Sequence, residues 1–197
     1  EKIGLYFVII HLDYFAISQS TEDGEENSTQ EILNMNIKIL KATLTHVEDF
    51  TFVFCESWKV AYKNILSEEE IEKNTNKEKR KQMFTSLFIS ENGYFFIAYD
   101  DSFPCGIVYA RIDIKNNIEI VALYTIPDYW GKGVGKKLMD IVLETAKKYN
   151  LRKMELWTLD KNFRARKFYE KYGFKCLNEY KDSGFVNLKE VSYNMEI

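Results

Sequence analysis

The chain has 197 residues, 46% hydrophobic and 15% aromatic, which is apolar mass enough for one well-buried α/β domain. A net charge of -3 and a pI near 5.6 argue against a nucleic-acid groove and only mildly suit a cationic substrate. Cys55, Cys105 and Cys176 are odd in number, far apart and set among apolar residues, so they read as reduced core thiols, and no metal is expected.

Taken in chain order, EKIGLYFVIIHLDYFAI is apolar and SQSTEDGEENSTQE is polar and acidic, so a boundary is expected near residue 36. The apolar run, about 15 residues, is too short to span a bilayer comfortably. It contains His11 and Asp13 and lacks a basic leader and a small-residue cleavage site, so no membrane or export role is expected and the location is read as cytoplasmic. Residues 1–36 are therefore an appended strand or helix with an acidic linker, and a homodimer through this arm is one role open to it. Residues 37–197 read as one domain.

IKILKA at 37–42 alternates as a strand, and Thr45-His46-Val47-Glu48 has the form of a capping box that opens a helix to about Tyr62. Ser67 to Glu70 repeats that signature, predicting a second helix over 67–83. Strands follow at 94–99, 106–114 and 118–126, with Asn116-Asn117 as the turn between the last two. The chain then alternates: helix 134–149, strand 153–159, helix 162–172, and strands 174–180 and 187–196. No repeat or low-complexity tract interrupts it.

The informative stretch is IEIVALYTIPDYWGKGVG, 118–135, where an apolar strand runs through a short turn into a glycine-rich loop that opens the amphipathic helix KKLMDIVLETAKKY. Glycines remove side chains where backbone N–H groups must approach an anion, and a helix N-terminus supplies unpaired donors and partial positive charge for a pyrophosphate. Lys132, Lys136 and Lys137 add charge nearby. A Walker loop needs Ser or Thr after its Gly-Lys, whereas Lys137 follows Gly135-Lys136. The dinucleotide pattern started at Gly131 would need a glycine at Lys136, and no acidic residue ends a second parallel strand about 20 positions on.

A second motif lies about thirty residues later, in DKNFRARKFYEKYGFK. Asp160 or Asn162 is placed to cap a helix whose spacing runs through Phe163, Ala165 or Arg166, Tyr169 and Tyr172, and Gly173 is placed to end it. Read structurally, Tyr169 is an aromatic that packs this helix on the sheet.

Together the two segments resemble the GNAT superfamily of N-acetyltransferases. The loop is similar to that family's Gln/Arg-x-x-Gly-x-Gly/Ala, with Trp130 standing where Gln or Arg is usual. The second segment is similar to its Asn-x-x-Ala-x-x-x-Tyr-x-x-x-Gly-Phe, with Asn162, Ala165, Tyr169, Gly173 and Phe174 in register. The resemblance covers residues 37–197. It implies a mixed α/β fold, with a mostly antiparallel sheet of six or seven strands and about four helices, splayed at the acetyl-CoA site.

By the same resemblance, main-chain groups of Leu123, Tyr124 and Thr125 hold the pantetheine arm as an added strand would. The pyrophosphate rests on Trp130, Gly131, Lys132, Gly133, Val134, Gly135 and Lys136, and Asn162 reaches the arm. Arg164 and Lys167 stand near the expected adenosine phosphate or are simply solvated helix charges. Tyr169 is implied as the general acid for the leaving thiolate, because a phenol of pKa about 10 stays protonated at neutral pH. An alkylammonium costs roughly 4 to 5 kcal/mol to deprotonate at pH 7, so a base helps. Glu119 stands where several relatives keep a glutamate acting through water, and period-two alternation puts it on the face of Val121 and Leu123; water alone is the alternative.

Trp58 and Tyr62 of ESWKVAYKNIL sit at helical spacing in the segment from which relatives build the acceptor pocket, or they pack the core. The Trp-x-x-x-Tyr pattern resembles a bacterial branch that includes polyamine-type enzymes. The expected acceptor is the amine of a small molecule or a peptide, and nucleic acid is not expected. A non-catalytic acyl-CoA sensor or interaction module on the same fold is the alternative, against which the intact Asn162 and Tyr169 weigh.

Overall fold

The computed structural model describes residues 35–90 and 93–197; nearly all of the expected arm and linker lies outside these. Seven strands form one sheet: β1 (Ile37–Lys41), β2 (Tyr94–Asp100), β3 (Phe103–Ile112), β4 (Ile118–Thr125), β5 (Lys153–Leu159), β6 (Lys175–Asp182) and β7 (Lys189–Glu196). Their order across the sheet is β1-β2-β3-β4-β5-β7-β6, and every neighbouring pair is antiparallel except β4 with β5. The helices are α1 (Val47–Tyr62), α2 (Glu68–Asn74), α3 (Lys77–Ile89), α4 (Val134–Lys148) and α5 (Phe163–Tyr172). The mixed, mostly antiparallel architecture expected from sequence is present.

The single helix predicted over 67–83 is two helices. Ser67 and Glu70 do form a capping box, with the Ser67 N–H donating to Glu70 Oε2 at 3.0 Å. The break comes at Thr75-Asn76, where the Asn76 side chain caps a new helix by accepting from the Lys79 N–H at 3.0 Å. Arg80 satisfies the end left behind: its Nε donates to the Asn74 carbonyl at 2.6 Å and its Nη2 to Asn74 Oδ1 at 2.7 Å. Helix α3 then continues to Ile89 and buries Phe84 and Phe88 edge-on against Phe50, with centroids at 4.9 and 5.4 Å.

The capping box expected at Thr45–Glu48 is displaced. Glu48 pairs with Lys81 of α3, while the Thr43 N–H donates to His46 Nδ1 at 3.1 Å and a short 3-10 turn, Leu44–His46, leads into α1.

The register of β3 on β4 fixes which side chains share a face. Ile107, Tyr109 and Arg111 lie opposite Tyr124, Ala122 and Glu119; Gly106, Val108 and Ala110 lie opposite Thr125, Leu123 and Ile120. Val121 therefore opposes no residue and forms a bulge, which shifts the alternation of β4 by one. This corrects the period-two expectation for Glu119: it shares its face with Tyr124, not with Leu123. The Tyr124 face lies beneath α1 and α3, since Tyr109 stacks on Phe95 at 4.4 Å and Phe95 meets Phe50 at 6.0 Å.

The opposite face carries α4. A Cβ on Gly106 would meet Leu138 and Val134 side-chain carbons at 2.9 Å each, so only glycine lets that helix approach so closely. Helix α5 is tied to α4 by the Tyr172 hydroxyl, which donates to Asp140 Oδ1 at 2.9 Å. It is tied to β7 by Arg166 Nε, which donates to the Tyr193 hydroxyl at 2.9 Å.

The parallel register of β4 with β5 covers only Ile118–Met154, Glu119–Glu155 and Ile120–Leu156. Beyond Ile120 the strands part, while β5 stays paired with β7 as far as Leu159. The expected splay is thus a short pairing that stops at the bulge.

Candidate active site

Strand β4 ends at Thr125, and Pro127 begins a 3-10 turn, Pro127–Tyr129, that delivers the chain to the glycine loop. Gly131 and Gly133 take φ values of +75° and +80°, a left-handed conformation that costs an L side chain roughly 1–2 kcal/mol. Gly133 is the N-cap of α4 and has no side chain to offer its amides; the first internal bond of that helix runs from the Lys137 N–H to the Gly133 carbonyl at 3.1 Å. Helices α2, α3 and α5 carry side-chain caps from Ser67, Asn76 and Asn162, whereas α4 carries none. Its first-turn donors, with no acidic residue beside them, suit an anion.

The side chains of the loop are less alike than the sequence suggests. Lys136 Nζ turns along the helix to Asp140 Oδ2 at 2.8 Å, so Lys136 offers the anion its backbone N–H. Trp130 donates its indole N–H to the Thr125 carbonyl at 2.9 Å, and the Arg164 guanidinium lies 3.5 Å above its ring. Trp130 thereby fastens the loop to the end of β4, and Arg164 fastens it to α5.

Asn162 follows β5 and caps α5: its Oδ1 accepts from the Ala165 N–H at 3.1 Å. The residue is 4% exposed and its Nδ2 has no hydrogen-bond partner among the described residues. The Tyr169 hydroxyl, fully buried on the same helix, and Thr125 Oγ1 share that condition. Buried polar atoms without partners are costly, about 1–3 kcal/mol each, unless a ligand completes them. These three belong to segments that flank the splay, so the residues fit the thioester arm of acetyl-CoA there and its pyrophosphate on the loop.

Beside the splay lies an aromatic wall. Trp58 and Tyr62 are buried, 4.1 Å apart between ring centroids; Trp58 also meets Phe185 at 6.1 Å, and Phe54 meets Tyr124 at 5.0 Å. Burial holds the phenols of Tyr62 and Tyr169 well above their usual range, with the neighbouring Tyr124 adding to both. Tyr169 therefore keeps its proton at every physiological pH. Glu119 is engaged: Arg111 Nε donates to its Oε2 at 2.7 Å. Burial also pushes the Cys55 thiol up to about 11 and the Cys105 thiol to about 12, which leaves neither as a nucleophile.

An anion loop after a strand, a capping asparagine and a buried tyrosine on the next helix match one family model, that of the acetyltransferase (GNAT) family, over residues 56–174. The chain belongs to this family. A curated spermidine N(1)-acetyltransferase of Thermoplasma acidophilum is 32% identical over 145 residues, 72% of this chain and 89% of the relative. An uncharacterised N-acetyltransferase of Archaeoglobus fulgidus is 30% identical over 143 residues, 68% and 89% of the two chains. Among solved structures, the PaiA N-acetyltransferase from Thermoplasma acidophilum in complex with coenzyme A superposes with a TM-score of 0.73 at 28% identity, over 83% of this chain and all of that one.

One buried acid of this acetyltransferase has no signal of its own in the sequence. Glu190 on β7 is 5% exposed and paired with Lys181 Nζ at 3.1 Å. Burial holds its carboxyl above the usual range, Lys181 opposes this and Glu119 adds to it. Lys181 in turn lies 4.3 Å above the Trp157 ring. In KEVSYNME the alternation groups Glu190 with Ser192 and Asn194, which reads as a solvent face, yet Glu190 and Ser192 are both buried.

Proposed function

We propose that this acetyltransferase moves the acetyl group of acetyl-CoA directly onto a primary amine of a small polycation of the polyamine class. The observation that carries the chemistry is the Tyr169 hydroxyl, fully buried and without a partner, beside the splay of β4 and β5. The polyamine class is supported by the 32% identity to a relative named for spermidine and by the acidic and aromatic residues beside that splay.

The residues divide the work as follows. Amides of the first turn of α4, with the loop from Trp130 to Gly133, hold the pyrophosphate. Main-chain groups of Leu123 to Thr125 orient the arm and polarise the thioester carbonyl, a contribution of about 3 kcal/mol for one well-placed donor. Asn162 Nδ2 donates to the arm. Bound there, acetyl-CoA supplies an acyl carbon activated toward attack. Tyr169 gives its proton to the departing thiolate, and because burial disfavours the phenolate it recovers that proton at once from the amide nitrogen being formed.

Titration calorimetry with acetyl-CoA and CoA, followed by thiol-release assays over polyamines, aminoglycosides and peptides, tests the reading. Micromolar binding with turnover on polyamines is expected, and Tyr169→Phe loses about a hundredfold in kcat while binding CoA as before. Turnover confined to peptides or aminoglycosides would overturn the substrate class, and binding without turnover would overturn the transferase.

A further inference from the structure

We infer that Glu190 is a further catalytic carboxylate: it receives the acceptor ammonium beside the Tyr169 hydroxyl and takes the proton that this nitrogen must lose before it attacks. The inference rests on the transferase reading and draws β7, which that reading leaves out of the chemistry, into the site.

Glu190 lies opposite Leu159 on β5, beyond the Ile120–Leu156 pair at which β4 and β5 separate, so it stands beside the open part of the splay. The groups that face it come from three elements. Lys181 of β6 pairs with it at 3.1 Å. Glu119 of β4 raises its proton affinity, and the hydroxyls of Tyr62 on α1 and Tyr124 on β4 both feel its charge.

The Tyr169 hydroxyl, fully buried and with no partner among the described residues, interacts electrostatically with the same two tyrosines. A carboxylate and an unsatisfied hydroxyl thus approach one aromatic cluster from opposite faces of the sheet, with Trp58 and Tyr62 supplying ring surface that suits a cation between them.

Burying a carboxylate against one half-exposed lysine is poor economy for stability alone, since such pairs often break even against apolar replacements. It is useful where a base must hold a proton more firmly than an ordinary glutamate. Each carboxylate has one oxygen held by a cation, Glu119 by Arg111 and Glu190 by Lys181, but the Glu119 side chain is 21% exposed against 7% for Glu190, so Glu190 is the more enclosed of the two.

Glu190 carboxylate takes one proton from the ammonium and becomes the neutral acid, leaving the nitrogen lone pair free. The nitrogen bonds to the thioester carbonyl carbon, the carbon–sulfur bond breaks, and the electron pair leaves on sulfur. Tyr169 protonates sulfur and is reprotonated by the second proton of the same nitrogen, giving amide and free thiol; Glu190 returns its proton to solvent.

The test compares wild type, Glu190→Gln and Lys181→Gln in CoA binding by calorimetry and in acetyl transfer from acetyl-CoA to spermidine across the acidic and neutral range. Glu190→Gln is expected to bind CoA as wild type does, to lose about a hundredfold in kcat/KM and to lose the acidic limb of the pH profile. Lys181→Gln keeps that limb but moves it to higher pH, because the cation that opposes protonation is gone.

A Glu190→Gln enzyme with an unaltered profile, or with CoA binding lost, overturns the assignment, as does a Lys181→Gln limb that stays in place. If Glu190→Gln fails to fold by circular dichroism, the Lys181→Gln limb decides alone. Wild-type protein that binds CoA and acetylates no amine sinks the transferase reading itself, which is a different result from an active wild type with indifferent variants.

Discussion

Asn162 serves the helix with one atom of its amide and, in the proposed function, the cofactor with the other. Its Oδ1 caps α5 and its Nδ2 is left over, so two substitutions separate the roles. Asn162→Asp keeps the cap and adds charge that the helix N-terminus favours; its melting temperature is expected to stay level or rise while acetyl-CoA affinity falls. Asn162→Ala loses both, with a cost of about 1 kcal/mol in thermal or urea melts. Asn162 and Tyr169 were legible in the sequence because both lie within a local motif whose spacing survives folding. Glu190 was not, because its strand pattern does not mark it as buried; Lys181, its ion-pair partner, and Tyr62, which feels its charge, are near it only in three dimensions.

At the scale of elements, two glycines position α4 for different reasons. Gly106→Ala would push a Cβ to 2.9 Å from Val134 and Leu138, and overpacking of this kind costs about 1–3 kcal/mol and displaces the first turn of the helix. At Gly133 a Cβ would meet nothing within 4 Å, so Gly133→Ala is charged only for its left-handed backbone, about 1–2 kcal/mol. Urea melts with CoA calorimetry are expected to show both variants destabilised and both weaker for CoA, with Gly106→Ala the less stable.

Most strands and helices were legible from periodicity and caps, but two features were not. The break at Thr75-Asn76 hides inside a run of helix formers, because the deciding interactions are the Asn76 cap and the reach of Arg80 back to Asn74. The bulge at Val121 hides because IEIVALYT is apolar on both faces, so no alternation marks the slip.

The molecule as a whole joins a single loop-to-helix cradle to an open sheet, and none of its described helices is long and apolar enough to cross a membrane. Its sheet is two antiparallel blocks, β1 to β4 and β5 to β7, laced together by three residue pairs of β4 and β5. A seam so short is a natural line of local opening, whatever the stability of either block. An arm of acetyl-CoA lying in the splay would act as the missing rungs of that ladder, and ligand binding stabilises the folded state by mass action, about 2.7 kcal/mol at a hundred times Kd. Hydrogen exchange is therefore expected to slow on CoA addition most at Val121 to Thr125 and at Trp157 to Leu159; uniform protection across the sheet would contradict this. The consequence reaches past catalysis: bound in this way the donor would also tie two halves of the protein together, so cells short of acetyl-CoA and CoA would hold the enzyme in a looser form, more open to proteolysis, than cells well supplied.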